Sequence, residues 1–156
     1  MLEQQRARRQ FEMLSWLFLI AILVGVMGPI YLLVPEYPFF VANAVFIVTF
    51  FIFTRWLFLL KYSWFARIAW VKLVIMVLSI PLLFYLLDEL GSFRAYVDEY
   101  GLQTFMQHLK HQEYKNLSTF IRSEMLIFGI GSIITTILIE FRMMISLWRG
   151  INRGTV

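Results

Sequence analysis

The sequence predicts an all-α integral membrane protein of four transmembrane helices, on three observations. Apolar residues make up 60% of the chain, and the mean hydropathy is +0.74. The apolar residues gather into four long blocks instead of alternating with polar ones as in soluble domains. The charged residues between the blocks sort by sign onto two sides. The 156 residues accommodate four spans and one sizeable loop in a single membrane domain, at about 20 residues per span.

The first span is expected over 13–34, after a polar, basic stretch (MLEQQRARRQFE). It is too long for the core of a cleavable signal and offers no small-x-small cleavage site, so it reads as a retained span. Gly25, Gly28 and Pro29 place a kink in its second half. Pro35 and Pro38 then force a tight connection. The second span is expected over 39–60, a short turn over 61–64, and the third span over 65–87 with Pro81 inside it. Asp88 and Glu89 end that span, and the fourth runs over 125–145.

Between the third and fourth spans lies a segment, 88–122, that is not membrane-like. Phe93, Tyr96, Val97 and Tyr100 fall at helical spacing, and so do Leu102, Phe105, Met106 and Leu109. Gly91 and Gly101 are read as separating these two patterns. Two short amphipathic helices are expected, lying on the membrane surface or over the bundle mouth. Phe93, Tyr96, Phe105, Met106 and Leu109 are the side chains expected to dock on a partner or on that surface.

Charge sets the expected orientation. Arg6, Arg8, Arg9, Arg55, Lys61, Arg67, Lys72, Arg142, Arg149 and Arg153 share one side with only Glu3, Glu12 and Glu140. Arg94, Lys110, Lys115 and Arg122 share the other with Glu36, Asp88, Glu89, Asp98, Glu99, Glu113 and Glu124. Basic residues stay cytoplasmic, so both termini are expected inside and 88–122 outside. Trp16, Trp56, Trp64, Trp70 and Trp148 fall near the inner interface, where an indole keeps its ring apolar and its N–H wet. The expected location is the inner (plasma) membrane.

Within the spans, Glu140 and Arg55 each lie roughly 24 Å from the outer end of their helices, at 1.5 Å per residue. Equal depth makes them a candidate ion pair, which offsets the cost of burying either charge alone. Asn43 is a further polar outlier, expected to bond another helix. Gly129, Ser132, Thr136 and Glu140 share one face of the fourth span. Small residues let backbones approach, and hydroxyls can bond across the contact.

Functional signals are few. The chain has no cysteine, which excludes disulfides and thiolate chemistry. His108 and His111 sit at i, i+3 without a third ligand at a convincing spacing, so no metal site and no other cofactor is expected. No phosphate loop, Ser/His/Asp set or zinc-protease helix appears. No catalytic residue, small-molecule substrate or nucleic-acid partner is expected; the basic tails suit anionic phospholipid. The expectation is a non-catalytic accessory subunit of a larger inner-membrane complex, bound to other integral membrane subunits. A small oligomeric channel or transporter using Glu140 is the alternative, and a membrane sensor module is a third.

Overall fold

The computed structural model describes residues 2–60 and 68–152, with side chains from Gln10 onward, Phe11 excepted. It contains four α-helices: α1 (Leu2–Leu33), α2 (Phe40–Leu59), α3 (Ala69–Glu99) and α4 (His111–Asn152). A single 3-10 turn, Leu102–Phe105, lies between α3 and α4, and no strand occurs among the described residues. All four helices are long and apolar enough to cross a membrane. The expected turn at 61–64, the first residues of the expected third span, and Arg153 lie outside the described residues.

Helix follows from the solvent these segments match. In hydrocarbon every backbone N–H and C=O must be satisfied within the chain, and only helices and closed barrels achieve that. Pro29 and Pro81 are therefore accommodated inside α1 and α3, which run through them without interruption.

The helices run up, down, up and down. On α3 and α4, Leu90 meets Gly129 and Ser79 meets Glu140, so these two helices are antiparallel. On α2 and α4, Asn43 meets Glu124 and Phe50 meets Gly131, so these two are parallel. α4 packs mainly against α2 and α3, whereas α1 leans chiefly on α2. Through its apolar span α1 buries fully only Leu19, Met27 and Ile30.

The segment between the third and fourth spans differs from expectation. Residues 88–99 continue α3, and α4 begins at His111 instead of near 125. Gly91 does not break α3, because a helix-interior glycine costs only about 1 kcal/mol and Phe93 beyond it is buried in the core. The second expected helix is a 3-10 turn, since so short a segment is marginal as a helix. Gly101 ends α3 with a φ of 68°, in the left-handed region that favours glycine. Its N–H donates to the Val97 carbonyl, and the chain turns back over the bundle.

α3 and α4 are thus roughly 46 and 63 Å long at 1.5 Å per residue, against a hydrocarbon core of about 30 Å. At the end where residues 34–39 and 100–110 lie, aromatic rings close the mouth of the bundle. Phe39 meets Phe93 at 5.4 Å and Tyr96 at 5.5 Å, and Phe105 meets Tyr37 at 5.5 Å. These are edge-on contacts, favoured by the ring quadrupole. Leu102 and Met106 fill the space beneath, while Asp98, Glu99, Lys110 and Glu113 are exposed. His108 Nε2 donates to the Leu33 carbonyl at 2.7 Å, capping the end of α1.

The helix contacts predict a contrast between glycines. A Cβ at Gly131 would lie 2.7 Å from the Phe50 ring, whereas at Gly28 it would meet nothing within 4 Å. Gly131→Ala is expected to lower stability in detergent by about 1–3 kcal/mol, the usual cost of overpacking. Gly28→Ala is expected to leave the melting temperature unchanged or raised.

Candidate functional site

α4 carries the small residues that let its neighbours approach. Gly129 faces Leu90 of α3 and Gly131 faces Phe50 of α2. Ser132 and Thr136 are fully buried. Their hydroxyls do not bond across the helix contact as the spacing led us to expect. Ser132 Oγ donates to the Gly129 carbonyl at 2.8 Å, and Thr136 Oγ1 to the Ser132 carbonyl at 2.7 Å. A hydroxyl in a helix finds the carbonyl one turn back without ordering a second helix. The stripe Gly129, Ser132 and Thr136 therefore packs this chain's own helices.

A buried polar cluster lies beneath the aromatic closure. Asn43, one turn into α2, has no exposed surface, and its Nδ2 donates to Glu124 Oε1 of α4. Glu124 and Tyr37 are buried beside it. Three of their polar atoms have no hydrogen-bond partner: Tyr37 Oη, Asn43 Oδ1 and Glu124 Oε2. Burial holds the Tyr37 phenol well above its usual range, and negative charge on Glu124 acts in the same direction. Asn43 does bond another helix, but its partner, Glu124, was placed by sequence among the outer charges one residue before the fourth span. The missed signal is helical phase: Glu124 sits three residues after Ile121 and eight before Ser132, both fully buried.

Glu140 and Arg55 have separate partners. Arg55 Nη2 lies 3.7 Å from Glu12 Oε1 on α1, and Glu140 Oε1 accepts a bond from Ser79 Oγ of α3 at 3.0 Å. The expected Glu140–Arg55 pair is replaced by these two contacts. The register of Asn43 on Glu124 and Phe50 on Gly131 puts Arg55 level with Thr136, so Glu140 lies about 6 Å further along, and Arg55 faces α1 while Glu140 faces α3.

Beside Arg55 a groove of about 410 Å³ runs between α1 and α2. Leu14, Phe18, Leu19, Ile52 and Leu59 supply apolar walls, with Trp16, Trp56 and Arg55 also lining it. Its lining comes from α1 and α2 alone, so it does not reach α3 or α4. Thr54 also lines it, and Thr54 Oγ1 is buried without a partner.

The expected docking side chains face inward. Phe93 and Met106 are buried in the chain's own core, with Phe105 and Leu109 packed against it. Tyr96 lies between Phe39 and Phe105. They close the bundle mouth, so a partner approaching this end would meet other residues. Among the described residues no group of three or more His, Asp or Glu side chains could hold a metal ion. His108 bonds the end of α1, and His111 is exposed at the start of α4.

No known family, curated protein or solved structure matches the chain.

The two partner assignments predict different double-mutant cycles. Glu12→Gln and Arg55→Gln should couple by up to ~1 kcal/mol in thermal melts, as partly exposed pairs do. Arg55→Gln and Glu140→Gln should be additive. Coupling in the second cycle and none in the first would reverse the assignment.

Proposed function

We propose that this chain is a non-catalytic accessory subunit of a larger inner-membrane assembly, with both termini in the cytoplasm. Ion-driven motors, outer-membrane energising machines, secretion systems and respiratory complexes are the classes of assembly it suits. The observation that carries the reading is the open groove between α1 and α2. Lipid tails are as apolar as leucine, so membrane helices associate by close packing. α1 is left incompletely packed where the groove lies, with Leu14, Leu17 and Phe18 exposed. A partner's transmembrane helix entering the groove would complete that packing.

Two further features support the reading. α1 and α3 present long exposed apolar faces, Ile20 and Val24 on one, Leu73, Val77 and Phe84 on the other. Arg55 lines the groove, lies a loose 3.7 Å from Glu12 and retains donor capacity for a partner's polar groups. In the alternative channel reading, the half-buried Glu140 would act while bonded to Ser79.

Native-membrane extraction in mild detergent, followed by mass spectrometry, should recover the chain with other membrane subunits. Thr54→Phe, which fills the groove floor, should lower that recovery about tenfold, or ~1.4 kcal/mol, with the melting temperature of the chain retained. A stable homo-oligomer with no other subunit would overturn the proposal in favour of the channel. Orientation is tested separately: cysteines at Gln103 and Asn116 should react with an impermeant thiol reagent in intact cells, and one at Gln4 should not. The reverse pattern would invert the topology.

A further inference from the structure

The Asn43–Glu124 pair poses a problem of hydrogen-bond supply. An ionised Glu124 would be a buried charge held by one amide donor, with its second oxygen bare and Asn43 Oδ1 bare beside it. Burying a charge is costly unless it is paired and fully hydrogen-bonded. Among the described residues no cation pairs with Glu124: the only ion pair is Arg55–Glu12, remote from this end of the bundle. Turning the amide of Asn43 over does not help, because it sets the amide oxygen against a carboxylate oxygen, two acceptors with no hydrogen between them. One added proton resolves both orphans. A carboxylic acid and an amide are complementary, each with one donor and one acceptor on adjacent atoms.

We propose that Asn43 and Glu124 form a proton-binding site. Glu124 is a neutral carboxylic acid whose proton, on Oε2, is directed to Asn43 Oδ1. Release of that proton loosens the aromatic closure over it. The O–H bond on Oε2 breaks, the electron pair stays on the carboxylate and the proton passes to water. The resulting charge has to be hydrated, and the segment between it and water is the closure built from Phe39, Phe93, Tyr96 and Phe105.

Asn43 is bonded to the carboxyl. The buried core at this end of the bundle is otherwise apolar, with Ala42 and Phe46 from α2 and Leu86 and Leu90 from α3. Leu102 and Met106 come from the connection, and Ile121 and Met125 from α4 itself. Tyr37 is a second titratable side chain in this core, and Glu124 acts on it. Its hydroxyl is also without a partner, so the closed site shields a second polar atom that opening would hydrate. This proposal does not depend on the accessory-subunit reading, since it concerns the chain alone.

The test uses the purified full chain in lipid nanodiscs. Infrared spectra at neutral pH should show a protonated-carboxyl C=O band, and Glu124→Gln should remove it. The glutamine keeps both bonds to Asn43, so this variant should fold. As pH is raised from mildly acidic to alkaline, the wild-type melting temperature should fall while that of Glu124→Gln stays level. The sign follows from linkage: a group that binds its proton more tightly in the folded state gives up stability as that proton is lost. Tyr37→Phe should keep the fall, assigning it to the carboxyl and not to the phenol. Hydrogen exchange over 93–106, corrected for intrinsic rate, should quicken with pH in the wild type only. Absence of the protonated band, or its survival in Glu124→Gln, would overturn the proposal. So would a melting temperature that follows sodium concentration at fixed pH and ignores pH, which would put a metal cation in the proton's place.

Discussion

Gly129 and Gly131 set the distance at which α4 meets its neighbours, because the Leu90 side chain and the Phe50 ring occupy the space their side chains would need. Within a bilayer there is no hydrophobic force drawing one apolar helix to another, so this close approach is itself the source of cohesion. From it follow the other contacts of α4. With α2 drawn in at Gly131, Asn43 reaches Glu124 one helical half above; with α3 drawn in at Gly129, Ser79 reaches Glu140 below. The buried hydroxyls of Ser132 and Thr136 are satisfied on their own helix, so the bonds that cross to α2 and α3 are those of Glu124 and Glu140.

The polar pair beneath the closure and the closure itself depend on one another. Tyr37 belongs to both: its ring packs on Phe105, and its hydroxyl belongs to the buried cluster with Glu124. Rings from three places in the sequence, the 34–39 connection, the end of α3 and the 3-10 turn, pack on one another at the end of the bundle where the carboxyl is buried. A buried polar group is strongly sensitive to how completely it is shielded and partnered.

α1 is the least integrated helix. It touches the core through Leu19, Met27 and Ile30, and its far end is tied by the His108 bond to Leu33. Toward its N-terminal end the groove lies between it and α2, with Glu12 3.7 Å from Arg55. Elements with few buried contacts open at lower free energy than the rest of a fold. This places the adaptable part of the molecule at the opposite end from the closed polar cluster. A partner entering the groove and a proton bound at Glu124 would thus act on different helices, joined through α2.

Sequence alone determined the four apolar helices and their up-down order, because each depends on local properties: the length of apolar blocks, proline pairs, and the need to satisfy backbone groups in hydrocarbon. It also marked Asn43 as bonded to another helix and the small residues of α4 as a contact face. What it misplaced depended on azimuth and on competition between packing and local breaks. Residue counts put Arg55 and Glu140 at one depth, but the register of α2 on α4 sets Glu140 about 6 Å beyond Arg55, and tertiary packing turned one toward Glu12 and the other toward Ser79. Hydropathy ended the third span at Asp88 and began the fourth at Met125. Burial of Phe93 and Ile121 then carried both helices on past those charges. Glu124 was hidden for the same reason. A carboxylate at the edge of an apolar block reads as a solvated boundary residue, and only the packing of α2, the 34–39 connection and the turn at 102–105 around it shut that boundary from water.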